Sequence, residues 1–433
     1  MSKEKVLEVW GPLYGGASKT SDPNVTLPFV VRKDTVEVSA KGELVRVVEP
    51  AIERVTPQCP HFGTCGGCQY QMIETRQQGD VKRQVLWDQL NSAGITFPVE
   101  IPAHSGEGYG YRNRIRLRIE RVEGELRLGY NVRATTEFLP IVTCTIAAPI
   151  LWSTAEALLN AAKLDDDVAF WMNAASEVEI FCNDDLTRVQ VTLLCAPRTK
   201  VKQGSLARCF TAARKMAPQI VALAAIASDA RTGPTGRTLD AVGAAGLNYR
   251  VLGETYWISR GGFFQVNRFL LETLVALVCE DEGKPRSGSV AWDLYAGVGL
   301  FSRVLARRFA RVVAVEANAT AAADNRAALR TISAAHEAVT STTWDFLREA
   351  MVQRERPELI VLDPPRAGAD VDACELLLRL EAREMVYVSC DPTTLARDLA
   401  VLQRGYRIRA LHVVDLFPQT SHIETVVVLE RKG

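Results

Sequence analysis

A cysteine near the end of the chain combines the features of a catalytic nucleophile. Cys390 closes the apolar run MVYVSC and is followed by Asp391 and Pro392, which end a strand and begin a helix. A cysteine beside a helix N-terminus is expected to have a lowered pKa, because the helix dipole stabilises the thiolate. Such a thiolate can add to an electron-poor carbon and form a covalent intermediate. The competing interpretation is a strand-end cysteine that is only buried.

An addition of this kind also needs a base that removes a proton before the thiol can leave. Glu424, in FPQTSHIETVVVLER at the entry to the last predicted strand, is the first candidate, and His422 is the reserve. Taken alone, Glu424 would be interpreted as a surface glutamate. Together with Cys390 and the stiff strand-end turn LDPPRAG, which contains Asp363, it favours catalysis.

Glycines and acidic residues at the ends of neighbouring strands indicate a nucleotide-type pocket. The run DLYAGVG places Gly297 and Gly299 after a strand, where a backbone without Cβ can approach a ligand. Glu316 ends the next strand, VVAVEAN, at a position suited to bind ribose hydroxyls. A dinucleotide fingerprint would need glycine where this chain has Ser302, so the pattern is closer to a class I methyltransferase. Asp345, placed at the end of a third strand-like segment, is either an adenine contact or a solvated loop aspartate.

A cluster of cysteines predicts a metal site. Cys59, Cys65 and Cys68 are separated by five and then two residues, and Cys144 is the candidate fourth ligand from a distant loop. Four thiolates suit either zinc or an iron–sulfur cluster, and their spacing does not separate the two. The remaining cysteines, apart from the nucleophile candidate, are interpreted as small apolar side chains.

Three segments are predicted to position these residues. From residue 261 to 433, apolar runs alternate with helical stretches, which predicts a doubly wound α/β sheet with the unusual residues at its carboxyl edge. Residues 58–260 predict a central α+β domain that carries the cysteine cluster, with a helix near 71–102 that packs on the catalytic domain. Residues 1–57 hold short strands between turn signals, typical of a small OB-like barrel or of a β-sandwich cap.

Length and charge limit the interpretation further. A chain of 433 residues exceeds one hydrophobic core, so several domains are expected. The start of the chain has no apolar leader, and no stretch is long enough to span a bilayer, which predicts a cytoplasmic protein without a membrane partner. Its 51 basic and 51 acidic side chains balance, so contacts with nucleic acid must come from local patches.

One such patch is predicted in YRNRIRLRIE. Arginines at alternate positions would form a row on one face of a strand, with Ile115, Leu117 and Ile119 on the core face. The row consists of Arg112, Arg114, Arg116 and Arg118. It would suit the phosphates of a single strand or loop of RNA, and a solvated edge strand is the alternative.

Together these motifs resemble the RNA 5-methyluridine methyltransferase family, the RlmD (RumA) and TrmA group, along nearly the whole chain. The matching runs are LYGG, CPHFGTCGGCQYQ, YRNRIRLR, GGFFQVN, DLYAGVGLF, VEAN, LDPPRAG, YVSCDPTTLARDL and FPQTSHIE. The resemblance implies a Rossmann-like class I methyltransferase sheet that uses S-adenosylmethionine, preceded by a TRAM/OB-like barrel and a middle iron–sulfur domain.

The resemblance also implies roles for single residues. Cys390 would attack carbon 6 of a uracil, so that carbon 5 can accept a methyl group, and Glu424 would then remove the hydrogen from carbon 5. The residues implied around the cofactor are Gln265, Tyr295, Gly297, Gly299, Glu316, Asp345 and Asp363. The chain departs from the family at Asp391 and Leu300, where an asparagine is usual.

The cofactor and partners follow from the same resemblance. Similar family members hold a 4Fe-4S cluster at the positions of Cys59, Cys65, Cys68 and Cys144, where it would pin the barrel to the middle domain. The expected substrate is a uridine of 23S ribosomal RNA flipped out of a folded loop, with the tRNA T-loop uridine as the alternative. We expect a monomer. A hypothesis of another class is a non-catalytic RNA-binding or assembly factor on the same fold.

Overall fold

Three large sheets organise the chain. The computed structural model describes residues 4–98, 100–228 and 236–433, so the first three residues of the predicted N-terminal unit lie outside it. The sheets have five, seven and eight strands. Among the described residues, no helix is both long enough and apolar enough to cross a lipid bilayer.

The first sheet is antiparallel and barrel-like, with the strand order β3-β2-β1-β4-β5. Its strands are β1 (Lys5–Pro12), β2 (Ala17–Thr20), β3 (Thr26–Pro28), β4 (Thr35–Val38) and β5 (Leu44–Glu49). Alternate residues of β1 and β4 point into a small core that contains Val9, Val36 and Val38. The buried Asp34 carboxylate accepts hydrogen bonds from the backbone of Val31 and Ala51, which ties the turns to this core.

The second sheet has the order β13-β12-β11-β10-β7-β8-β9, and three helices pack against it. The elements of this part of the chain are α1 (Thr75–Ser92), β6 (Ala103–His104), β7 (Arg114–Val122), β8 (Glu125–Asn131), β9 (Phe138–Pro140), α2 (Pro149–Leu164), α3 (Asp166–Ala174), β10 (Ala175–Cys182), β11 (Val189–Cys195), α4 (Ser205–Met216), β12 (Ile220–Ala227) and β13 (Arg237–Gly243). Leu151, Trp171 and Leu206 bring α2, α3 and α4 into one core with the strands.

The third sheet has the order β20-β19-β18-β21-β22-β24-β23-β6. The elements that complete the chain are β14 (Gly246–Val251), β15 (Glu254–Ser259), α5 (Leu271–Cys279), β16 (Glu280–Asp281), β17 (Lys284–Pro285), β18 (Gly288–Leu294), α6 (Ser302–Leu305), β19 (Phe309–Glu316), α7 (Ala319–Arg330), β20 (Glu337–Thr340), α8 (Thr343–Gln353), β21 (Leu359–Leu362), α9 (Val371–Leu380), β22 (Glu384–Ser389), α10 (Pro392–Leu402), β23 (Tyr406–Val414) and β24 (Glu424–Arg431). The strands from β20 to β22 are parallel, and β24 runs antiparallel to both of its neighbours. The carboxyl ends of the parallel strands therefore meet the start of β24 at one edge.

A segment from the first quarter of the chain covers this third sheet. Strand β6 pairs with β23, and α1 packs on α10 and β23 through Val85, Leu86 and Leu90. The fully buried Lys82 ammonium lies 2.5 Å from an oxygen of the equally buried Asp415 and donates to the Phe417 carbonyl at 2.9 Å. These bonds hold α1 to the loop between β23 and β24.

Candidate active site

The pairing of two strands brings the predicted nucleophile and base together. Ser389, the last residue of β22, pairs with Thr425 of the antiparallel β24. Cys390 directly follows Ser389 and Glu424 directly precedes Thr425, so both lie at this end of the strand pair, where the charge of Glu424 acts on the Cys390 thiol. Two residues 34 positions apart in the sequence thus meet at the carboxyl edge of the sheet because β24 runs against its neighbours.

The Cys390 thiol does not have the lowered pKa that the sequence predicts. Burial raises its pKa to about 11. The negative charges of Glu424, Asp363 and Asp391 also raise this pKa, while the Arg366 guanidinium lowers it. The thiol is partly buried. Desolvation and three carboxylates therefore outweigh one cation.

The reason that helix α10 does not compensate lies in its cap. The Oδ1 atom of Asp391 accepts from the backbone N–H groups of Thr393 at 2.9 Å and Thr394 at 3.2 Å. The amides that would stabilise a thiolate at the helix N-terminus are already bound to a carboxylate. The expectation of a lowered pKa was wrong, because burial and the charges of the neighbouring carboxylates raise the pKa of Cys390.

Glu424 and Asp363 form a buried acidic pair. Glu424 is 3% exposed, and its pKa is raised well above the usual value by burial and by the charge of Asp363, with Arg366 acting in the opposite direction. Burial and the charge of Asp293 raise the pKa of Asp363 to about 7, although Gln265 donates to its Oδ2 atom at 3.3 Å. Two neighbouring buried carboxyl groups do not both ionise readily.

His422, the reserve base, has a different role in the structure. Burial and the charge of Arg366 lower the pKa of His422 to about 4, and its ring nitrogens face the Arg366 guanidinium. A neutral imidazole with so low a pKa is a poor proton acceptor, which favours Glu424 as the base. Sequence reasoning did not include Arg366 among the site residues. Its place in the turn after Asp363 was the available signal.

The two glycines of DLYAGVG differ in what surrounds them. Gly297 has a φ of +55° and open space where a Cβ would stand, and its N–H donates to Glu316 at 2.9 Å. Gly299 has a φ of +89°, and a Cβ there would lie 2.3 Å from Oδ1 of Asn325. The first glycine therefore leaves room for a ligand, while the second makes room for a side chain of α7. No sequence signal pointed to Asn325.

The start of this loop is held by a buried aspartate. Asp293 accepts from the Ser302 backbone at 2.8 Å and from its hydroxyl group, and burial raises the pKa of Asp293 to about 7. Tyr295 follows with a φ of +61°, which turns the chain toward the glycines. Ser302, which departs from a dinucleotide fingerprint, thus holds Asp293 at the strand end. In the described chain the Oδ1 atom of Asp293 is buried without a hydrogen-bond partner.

Asp345 lies in the first turn of helix α8, not at a strand end as the sequence suggested. Strand β20 ends at Thr340, and the Thr342 hydroxyl donates to the exposed Asp345 carboxylate at 2.6 Å while accepting its backbone N–H at 3.1 Å. These reciprocal bonds cap helix α8, so the stability of the helix is sufficient to explain why an aspartate occupies this position. Glu316, in contrast, does end β19, and it also accepts from the Asn318 N–H at 2.6 Å.

The four cysteines predicted as ligands are free thiols that influence one another electrostatically. The pKa of Cys68 is raised to about 12 by burial and by the charges of Cys144, Cys65 and Cys59. Cys68 and Cys144 also contact the same small apolar cluster around Tyr111. Within residues 4–98, 100–228 and 236–433, no three His, Cys, Asp or Glu side chains are arranged as ligands of one metal ion. The predicted metal site is therefore not shown by this arrangement.

The arginine row of β7 is largely neutralised. The alternation is as predicted, since Ile115, Leu117 and Ile119 are buried. However, β7 is an interior strand between β10 and β8, and Arg114 and Arg116 form ion pairs with Glu179 of β10. Strand β7 therefore presents neither a free row of guanidinium groups nor a solvated edge.

Comparisons with known proteins agree with this geometry. The family model described as tRNA (Uracil-5-)-methyltransferase matches residues 249–432, the part that holds the strand-end site. A protein of Alkalilimnicola ehrlichii named 23S rRNA (uracil(1939)-C(5))-methyltransferase RlmD is 31% identical over an alignment of 451 positions, which covers 99% of this chain and 93% of that protein. A protein of the same name from a Shewanella species is 30% identical over an alignment of 443 positions, which covers 96% of this chain and 93% of that protein.

A solved structure extends the similarity to the fold. The Pyrococcus abyssi tRNA (uracil-54, C5)-methyltransferase in complex with S-adenosyl-L-homocysteine has a TM-score of 0.73 and 21% identity, and the match covers 99% of this chain and 100% of that one. A likeness at this identity shows a shared class I methyltransferase fold. The sequence similarity goes further, and the chain belongs to the family of RNA uracil-C5 methyltransferases.

Proposed function

We propose that this protein methylates carbon 5 of one uridine in 23S ribosomal RNA, with Cys390 as the nucleophile and Glu424 as the base. The register of β22 against β24, which brings these two residues to the same end of the strand pair, is the observation that carries the proposal. The two RlmD relatives, similar along nearly the full length, support 23S ribosomal RNA as the substrate.

The reaction begins with the cysteine. The Cys390 thiolate adds to carbon 6 of the uracil, and the electron pair of the carbon 5–carbon 6 double bond moves toward the carbonyl oxygen on carbon 4. Carbon 5 becomes nucleophilic in this covalent adduct. The Arg366 guanidinium, whose charge favours the thiolate, opposes the effect of the neighbouring carboxylates.

S-adenosylmethionine, when bound, supplies a methyl group on a positively charged sulfur that carbon 5 can attack. Glu316 and Gly297 fit this group. The Glu316 carboxylate can bind the ribose hydroxyls, and the open space beside Gly297 lets the cofactor approach the backbone at the same strand ends. After transfer, Glu424 takes the hydrogen of carbon 5. The freed electron pair then re-forms the ring double bond and expels the Cys390 thiolate.

The two glycines allow a test of the cofactor site. We expect Gly297→Ala to cost about 1 kcal/mol of stability, because only its positive φ is strained, and to weaken S-adenosylmethionine binding at least about tenfold. Gly299→Ala should cost about 2–4 kcal/mol, since it adds a clash with Asn325. Urea unfolding and calorimetric titration measure the two effects. Wild-type cofactor affinity in Gly297→Ala would contradict the assignment of the open space.

The covalent mechanism is tested with RNA that contains 5-fluorouridine. Fluorine at carbon 5 does not leave as a proton does, so the adduct between enzyme and methylated RNA persists and survives denaturing electrophoresis. We expect this complex only when S-adenosylmethionine is present. Peptide mass spectrometry should locate the cross-link at Cys390. A cross-link at another residue would overturn the assignment.

The target RNA is tested separately. The alternative is the tRNA T-loop uridine, which the description of the matching family model favours. Ribosomal RNA and tRNA from a strain that lacks the protein are purified apart, digested, and analysed for 5-methyluridine by mass spectrometry. We expect a loss in 23S ribosomal RNA alone. A loss confined to tRNA would establish the alternative.

For the four cysteines we propose a 4Fe-4S cluster that joins residues 59–68, which directly follow the N-terminal unit (1–57), to the loop that contains Cys144 in the central unit (58–260). Four sulfur donors suit iron–sulfur or zinc, and a bound cation would offset the mutual repulsion that raises the pKa of Cys65 and Cys68 after burial. Protein purified without oxygen should contain iron and sulfide and show a broad visible absorbance. Both should be lost in Cys65→Ser and kept in Cys195→Ser, a buried cysteine of β11. Zinc in place of iron would contradict the proposal.

A further inference from the structure

The turn between β1 and β2 reaches from the N-terminal sheet into the catalytic edge. It contains the residues LYGG, and Gly15 and Gly16 both have a φ near +90°, which only glycine adopts at low cost. A Cβ on Gly16 would lie 2.9 Å from Gln69 and 3.2 Å from the Cβ of Ser421. The turn is therefore seated closely against the loop that leads to Glu424.

The same turn also contacts the segment that follows the nucleophile. The Tyr14 hydroxyl donates to Oδ2 of Asp391 at 2.6 Å, across 377 positions of sequence. The other oxygen of Asp391 caps helix α10, so both oxygens of this carboxylate are bound. Tyr14 fixes the one charged group that is the immediate neighbour of Cys390 in the chain.

We propose that Tyr14 is a positioning residue for Cys390, acting through Asp391, so that the N-terminal sheet completes the catalytic centre. The proposal rests on the role of Cys390 given above. A hydrogen bond from the phenol disperses the carboxylate charge and holds it in the cap geometry, which weakens its repulsion of a thiolate. The groups that face the thiol from the other elements are Glu424 of β24, Asp363 and Arg366 after β21, and Asp391 of α10.

The test measures the thiol without RNA. Alkylation of Cys390 by iodoacetamide in the full-length protein is followed by peptide mass spectrometry over a series of pH values. Tyr14→Phe should move the profile upward by roughly half a pH unit, so that alkylation near neutral pH is about threefold slower. Asp391→Asn should move the profile downward, because it removes a like charge. In that background Tyr14→Phe should have no further effect.

A matched control separates this effect from a general loss of stability. Tyr406→Phe removes a hydroxyl that donates to the Ala382 carbonyl at 2.8 Å, at the opposite end of β22 from Cys390. It should leave the alkylation profile at the wild-type position. The proposal is overturned if both tyrosine variants shift the profile equally, or if the shift persists with Asp391→Asn.

RNA binding provides the second readout. Tyr14→Phe should bind RNA with wild-type affinity while forming the covalent adduct more slowly at saturating RNA. A loss of affinity with an unchanged alkylation profile would show that Tyr14 contacts RNA and would overturn the positioning role. Failure of the proposed function is distinct, because it would appear as an adduct that forms without Cys390.

Discussion

Cys390→Ala is expected to abolish both the covalent adduct and methyl transfer, with a fall in rate of at least about 10⁴-fold. The reason is that carbon 5 of an intact uracil ring is too weak a nucleophile to attack a methyl sulfonium. No other thiol of the described chain lies at the carboxyl edge of the third sheet beside Glu424. The measurements are incorporation of labelled methyl groups and electrophoresis of the complex with 5-fluorouridine RNA.

The control for this substitution is Cys374→Ala. Cys374 is a fully buried free thiol of α9 that packs with Leu377 and Tyr387 in a hydrophobic core of the third sheet. Its loss leaves a small cavity that costs about 1 kcal/mol of stability, but adduct formation should remain. If Cys390→Ala formed the adduct as the control does, the protein would use another nucleophile.

Glu424→Gln is expected to separate the two halves of the reaction. Glutamine matches the neutral form of the buried carboxyl group, so the fold and the addition step should persist. Proton removal from carbon 5 should fail, and methylated RNA should remain attached to Cys390 even with ordinary uridine. Turnover should fall by about 10²–10⁴-fold. The measurement is the fraction of enzyme in denaturant-stable complex during the reaction.

The matched control lies on the same strand. Glu430 is at the far end of β24, where it pairs with the exposed Arg407. Glu430→Gln should turn over at the wild-type rate, because a surface ion pair contributes little. If Glu424→Gln released free methylated RNA at the normal rate, Glu424 would not be the base. Asp363, the other member of the acidic pair, would then take that role.

The sequence predicted the carboxyl edge of the third sheet, because its signals are local. DLYAGVG, VVAVEAN and MVYVSC are apolar strands that end in polar residues, and a parallel sheet gathers such ends at one edge. The sequence assigned Cys390 and Glu424 complementary chemical roles, but it gave no physical reason for their proximity. The structure supplies the physical reason, which is the antiparallel insertion of β24 between β22 and β23.

What the sequence did not predict depends on partners far away along the chain. The alternating pattern of β7 correctly separated core from surface, but it gave no sign that Glu179 of β10 would form ion pairs with two of the arginines. Similarly, the pKa of Cys390 is raised by burial and by the charges of Glu424 and Asp363, which are distant in the sequence. The expected direction of this pKa shift was therefore wrong.

The ion pair between Lys82 and Asp415 has a consequence for how the chain matures on the ribosome. The two residues are 333 positions apart, which corresponds to roughly 20–70 s of translation at ordinary rates. During that time the apolar face of α1 has no sheet to pack against, and the Lys82 ammonium group lacks its counter-ion Asp415. The beginning of the nascent polypeptide must therefore stay solvated or be held by a chaperone until its last strands emerge.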